Sequence, residues 1–175
     1  MPDAPATPRP SQLWKRLSPD RKLQAAEAFW RDENAASEQA DAIAAIAQRI
    51  RFRVKSVHAM PLEKKVRQLL ALPAVSEAVA ARLLVAYHLA HQRPMMGRFL
   101  DALGIAHEDG LIADENLAAP PPDRLRAAAQ TLASSCPADE VSLYFSTLLW
   151  QDPETWSSLA DLPQVRESTP APQRS

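Results

Sequence analysis

His88 and His91 stand three residues apart, a spacing that brings two imidazoles to one face of a helix and within reach of a shared metal ion. Further ligands would have to come from His107, Glu108 and Asp109 in a loop. Neither firmer metal signature occurs: no two histidines lie four apart around a glutamate, and no acid-to-histidine pair repeats on a second helix. His91 also sits near a helix C-terminus, which favours an imidazole without any metal. Cys136, the single cysteine, precedes Pro137 at a helix start, with no histidine close in sequence to act as a base, so it reads as a buried or capping thiol. The adjacent carboxylates Glu108/Asp109 and Asp114/Glu115 lie in polar loops, where solvation accounts for them without acid/base catalysis. With three glycines in 175 residues there is no phosphate loop, dinucleotide fingerprint or nucleophile elbow. No catalytic, cofactor-binding or metal site is expected.

A different chemistry is available in the run Arg49, Ile50, Arg51, Phe52, Arg53, Val54, Lys55, followed by Lys64, Lys65 and Arg67. Cations neutralise phosphates, and an exposed aromatic among them stacks on bases. On a helical wheel Arg49, Arg51, Arg53 and Lys55 flank an apolar stripe, with Phe52 on the opposite face. These eight residues without Ile50 and Val54 form the candidate surface for nucleic acid or an acidic partner. The competing structural reading packs Phe52 under the terminal segments and bonds the arginines to the acidic part after Phe99. Charge is sorted along the chain: residues 42–98 hold ten Lys/Arg against two Glu, and residues 99–163 hold eleven Asp/Glu against two Arg, while the whole carries −1.

Leu72, Pro73, Ala74, Val75 and Ser76, with the helix-forming residues through Leu84, resemble the second half of a helix-hairpin-helix DNA-binding motif. That family's pattern is leucine, proline, glycine, hydrophobic, glycine, and the resemblance implies backbone amides that approach a phosphate. Ala74 and Ser76 replace both glycines. Read from the residues alone, the segment is a turn between two core helices, with Ser76 capping the second.

The elements that position these groups are expected to be helices throughout. Alanine is abundant and glycine scarce, which favours helices and denies hairpin sheets their turns. The class is all-α, a compact multi-helix bundle of about seven to nine helices punctuated by proline. A short helix over 11–17 is followed by one that Ser18 caps and Pro19 opens, with Leu23, Ala26, Phe29 and Trp30 on its inner face. Ile43, Ile46, Ile50, Val54 and Val57 predict one long helix over 37–57. Pro61 opens a helix through Leu72 with Leu62, Val66, Leu69 and Leu70 inward, and the helix from about Val75 to Gln92 is apolar nearly all round and belongs at the centre. Pro94 opens the next, which Gly104 stops; Asp123 caps another, Pro137 starts one through Trp150, and Asp152 with Pro153 starts a last one to Leu162.

The organisation expected is a disordered tail over 1–10, a helical domain over 11–112, a proline-rich linker over 113–122, a docked helical part over 123–162 and a second disordered tail over 163–175. The lone cysteine, the absence of a signal sequence and the lack of a long apolar run make a cytoplasmic location the default, with no membrane span. Tyr144, Phe145, Leu149 and Trp150 are surplus apolar residues and form a candidate interface, with a second copy of the chain among the protein partners. The function expected is a non-enzymatic helical protein-interaction module with segregated basic and acidic surfaces, the alternative being a nucleic-acid-binding protein that uses the basic run.

Overall fold

The computed structural model describes residues 7–166, so most of both expected disordered tails lies outside the described residues; within those spans Pro10 and residues 163–166 are helical. Helices dominate, as expected for an all-α chain, and among the described residues they gather into two units, residues 9–91 and residues 92–166. Residues 9–91 hold fourteen Lys/Arg and eight Asp/Glu, whereas residues 92–166 hold five and eleven, so the two units carry opposite net charge, although Arg93 and Arg98 of the basic stretch belong to the second.

The first unit contains α1 (Pro10–Arg16), α2 (Pro19–Arg31), α3 (Ala36–Ile50), α4 (Val54–His58), α5 (Leu62–Leu70) and α6 (Glu77–His91). Ser18 accepts from the Arg21 amide at 3.3 Å and Pro19 supplies a preset first turn, so α2 starts where its sequence asks. α6 packs against α1, α2 and α3, burying Val79, Ala80, Leu83, Leu84 and Tyr87. Its Arg82 pairs with Asp32 at 2.6 Å, and Asp32 also caps the 3-10 turn Glu33–Ala35 by accepting from the Asn34 amide. Gln39 of α3 donates to the Phe29 and Asp32 carbonyls at 2.7 and 3.0 Å, satisfying the end of α2. The expected inner faces of α2 and α5 are only partly realised. Ala26, Phe29, Trp30, Val66 and Leu69 are buried, but Leu23 is 43% and Leu70 37% exposed.

The second unit contains α7 (Arg93–Leu103), a two-stranded antiparallel hairpin of β1 (His107–Glu108) and β2 (Leu111–Ile112), α8 (Pro122–Ser135), α9 (Ala138–Gln151), α10 (Pro153–Trp156) and α11 (Pro163–Arg166). The hairpin replaces the expected polar loop. Its two-residue turn, Asp109 at φ 50° and Gly110 at φ 85°, is the pairing that matches strand twist. A Cβ on Gly110 would lie 2.9 Å from Met96 Cβ and 3.1 Å from the Arg93 carbonyl, so the hairpin lies directly on α7. Gly104 closes α7 in the left-handed conformation, as its position implied. Asp123 lies inside the first turn of α8, which starts one residue earlier with Pro121 at the cap position, so it is not the cap expected of it. α7 packs on α8, which places the proline-rich segment 113–122 within this unit and not between two.

α9 is where the surplus apolar residues are accounted for. Phe99 of α7 meets Phe145 at 4.8 Å, Tyr144 at 5.8 Å and Trp156 at 6.0 Å between ring centroids. α10, α11 and the 3-10 turn Ser157–Asp161 cover other parts of α9. Tyr144, Phe145 and Leu149 are therefore core residues, and of the expected apolar interface only Trp150 is exposed. No helix among the described residues is long and apolar enough to cross a membrane.

Candidate nucleic-acid interface

The basic run does not lie on one helix. α3 ends at Ile50 because Arg51 adopts the left-handed conformation, φ 55° and ψ 40°, and the Phe52 amide then bonds back to the Ala47 carbonyl at 3.0 Å. This back-bond belongs to the helix stop usually built on glycine. The expected helix over 37–57 is thus broken into α3 and α4, and Val54, assigned to its apolar stripe, is 56% exposed. Arg53 occupies the cap position of α4 in extended conformation. Residues Arg51 to Ser56 are all exposed, Phe52 to 56%. The break changes the surface offered: in place of cations spread along two sides of a helix, Arg51, Phe52 and Arg53 share one tight turn.

The eight candidate residues divide into three groups. Arg51, Phe52, Arg53 and Lys55 form the exposed corner. Arg49 reaches across to α5, donating to Gln68 Oε1 at 3.3 Å, and Lys64 lies one helical turn before Gln68, so these two extend the corner onto α5. Lys65 does not belong to it: its ammonium sits 5.3 Å over the Trp30 ring and braces α5 against α2. Arg67 lines the groove between α2 and α5. Among the described residues, Arg49, Arg51, Arg53, Lys55, Lys64 and Arg67 make no ion pair.

The turn that resembles the helix-hairpin-helix motif holds its own partners. Ser76 Oγ accepts from the Val79 amide at 3.2 Å, capping α6, and Glu77 in the first turn binds Ser11 through both the amide, at 3.1 Å, and the hydroxyl, at 2.5 Å. Comparison with family models, curated proteins and solved structures finds no match to this chain. A phosphate at this turn would meet a carboxylate and a side-chain cap where the motif offers bare amides.

The histidines are dispersed. His88 is buried and its burial lowers its pKa to about 3, so it stays neutral, whereas His91 is exposed one turn on. His107 is oriented by two bonds, Nε2 to Asp101 Oδ1 at 2.9 Å and Nδ1 accepting from the Gly110 amide at 3.1 Å, and its ring packs where a Gly97 Cβ would stand. Those bonds fasten the hairpin to α7. Among the described residues no three His, Cys, Asp or Glu side chains are gathered as a metal site needs. Cys136 closes α8, with its sulfur 3.9 Å from Arg98 Nη1.

One surface was not anticipated from the sequence. A groove of about 870 Å³ runs between α2 and α5, with Leu23, Leu62, Val66 and Leu70 as its apolar lining. Its signal was legible only in the charges, since Glu27/Arg31 and Glu63/Arg67 repeat the same i, i+4 order on both helices.

Proposed function

We propose that this chain is a non-enzymatic nucleic-acid-binding protein that holds phosphates on Arg51, Arg53, Lys55 and Lys64 and stacks a base on Phe52. The observation that supports this is Phe52 itself, exposed on a turn between two arginines that make no ion pair among the described residues. Leaving Phe52 56% exposed forgoes about 1 kcal/mol of burial. A stacked base recovers that burial, and the flanking guanidiniums supply the charge that draws the strand in. Because Arg51 breaks the long helix, the basic residues lack a continuous helix to lay in a major groove, which favours an unpaired strand.

Fluorescence anisotropy with a labelled single-stranded oligonucleotide tests the reading. Affinity falls steeply with salt, and the double substitution Arg51→Ala, Arg53→Ala lowers the slope of log K against log salt by about 1.4, at ~0.7 per phosphate contact on a single strand. Phe52→Ala weakens binding by about 1–3 kcal/mol, roughly tenfold or more, at unchanged slope. No retention at low ionic strength eliminates the proposal. A protein-interaction role is the second reading, favoured by the apolar groove between α2 and α5.

A further inference from the structure

We infer that the α2–α5 groove is a self-association surface, occupied by the same groove of a second copy of this chain. Two of the exposed large apolar residues, Leu23 and Leu70, lie in this groove, separate from the Phe52 corner. Its rim carries Glu27 and Arg31 on α2 and Glu63 and Arg67 on α5. Each Glu precedes its Arg by four residues, the favoured arrangement for an intrahelical pair, yet none of the four makes an ion pair among the described residues. The rim is therefore neutral in a unit that is otherwise strongly basic, and it offers equal numbers of unpaired acids and bases.

That balance selects the occupant. A strongly acidic or basic partner would leave half of the rim facing like charge, whereas a two-fold axis across the groove reverses the order of charges and sets each Glu against an Arg of the other copy. The chain's own undescribed ends cannot supply the apolar filling, since residues 1–6 and 167–175 hold no large apolar side chain except Met1. The area also bounds the strength. Helices of 13 and 9 residues present a face of about 400 Å² per copy, so a dimer buries about 800 Å², below the ~1,200 Å² of stable complexes. Association in the micromolar range or weaker follows.

Sedimentation velocity of the full chain from about 1 µM to about 500 µM tests this. The mass rises from 19.3 kDa toward twice that value over the series. Leu23→Asp, at a position already exposed, stays monomeric with an unchanged circular dichroism spectrum, and Leu70→Asp does the same. The charge-inverted variant Glu27→Arg, Arg31→Glu, Glu63→Arg, Arg67→Glu pairs with itself as wild type does but fails to pair with wild type. Phe52→Ala leaves the mass series untouched, which separates this surface from the nucleic-acid corner. A mass of 19.3 kDa throughout, or free mixing of inverted and wild-type chains, overturns the inference.

Discussion

Replacing Arg51 by glycine makes the protein more stable while making its proposed surface weaker. Arg51 holds φ 55° and ψ 40°, where an L side chain costs about 1–2 kcal/mol from the clash of Cβ with the following carbonyl. Glycine removes that clash and adds about 0.5–1 kcal/mol of unfolded-state entropy to be lost on folding, leaving a net gain of about 0.5–1 kcal/mol. The Arg51 side chain is exposed with no ion pair among the described residues, so truncation forfeits little contact, and the bond from the Phe52 amide to the Ala47 carbonyl is backbone and survives. For a chain of this size the gain raises Tm by about 1–3 °C. Arg51→Ala keeps the clash and changes stability by less than about 0.5 kcal/mol. Both variants lose one cation, so both lower the salt slope of single-stranded oligonucleotide binding by about 0.7. Thermal melts of the three proteins, paired with anisotropy titrations, separate conformation from charge. A lower Tm for the glycine variant, or equal stabilisation by alanine, would refute the left-handed stop.

Three further outcomes are expected. His88 is pulled down to about 3 by burial while the unfolded chain titrates near 6.5, so the unfolded state binds the extra proton; stability is complete above pH 6.5 and falls as pH drops toward 3, by about 2 kcal/mol at pH 5. Urea melts between pH 7 and 5 read this slope, and His88→Leu flattens it. Gly110→Ala forces a Cβ to within 2.9 Å of Met96 Cβ at φ +85° and costs about 2–4 kcal/mol, visible as loss of hydrogen-exchange protection in the hairpin and α7. Lys65→Ala removes a cation held over Trp30, so it lowers stability by about 0.5–1 kcal/mol yet leaves oligonucleotide affinity within about twofold, unlike Lys64→Ala.

Much of the helical order could be read from local chemistry. Pro19, Pro94 and Pro153 lie at helix starts, Ser18, Ser76 and Asp152 each accept from the amide three residues on, and Gly104 stops α7. Such features depend on a residue and its near neighbours, so they survive without knowledge of the fold. The hairpin has a local signal in Asp109–Gly110, a dipeptide suited to positive φ, but the scarcity of glycine in the chain as a whole argues for a loop there. The left-handed Arg51 was not, because arginine carries no preference for that conformation and the helical spacing of Ile50, Val54 and Val57 continues past it.

Charge segregation, the all-α class and the identity of the basic residues follow from amino-acid order alone, because composition and short-range spacing set them. Burial is different: it depends on which distant elements arrive to cover a face. Phe99 of α7 packs on Tyr144 and Phe145 and makes them core, and Leu149 is buried with them, while Leu23 and Leu70, equally apolar, are left exposed in the groove between α2 and α5. Apolar area is free to be surface or interior until the chain closes upon itself, and only tertiary packing decides which side chains remain for a partner.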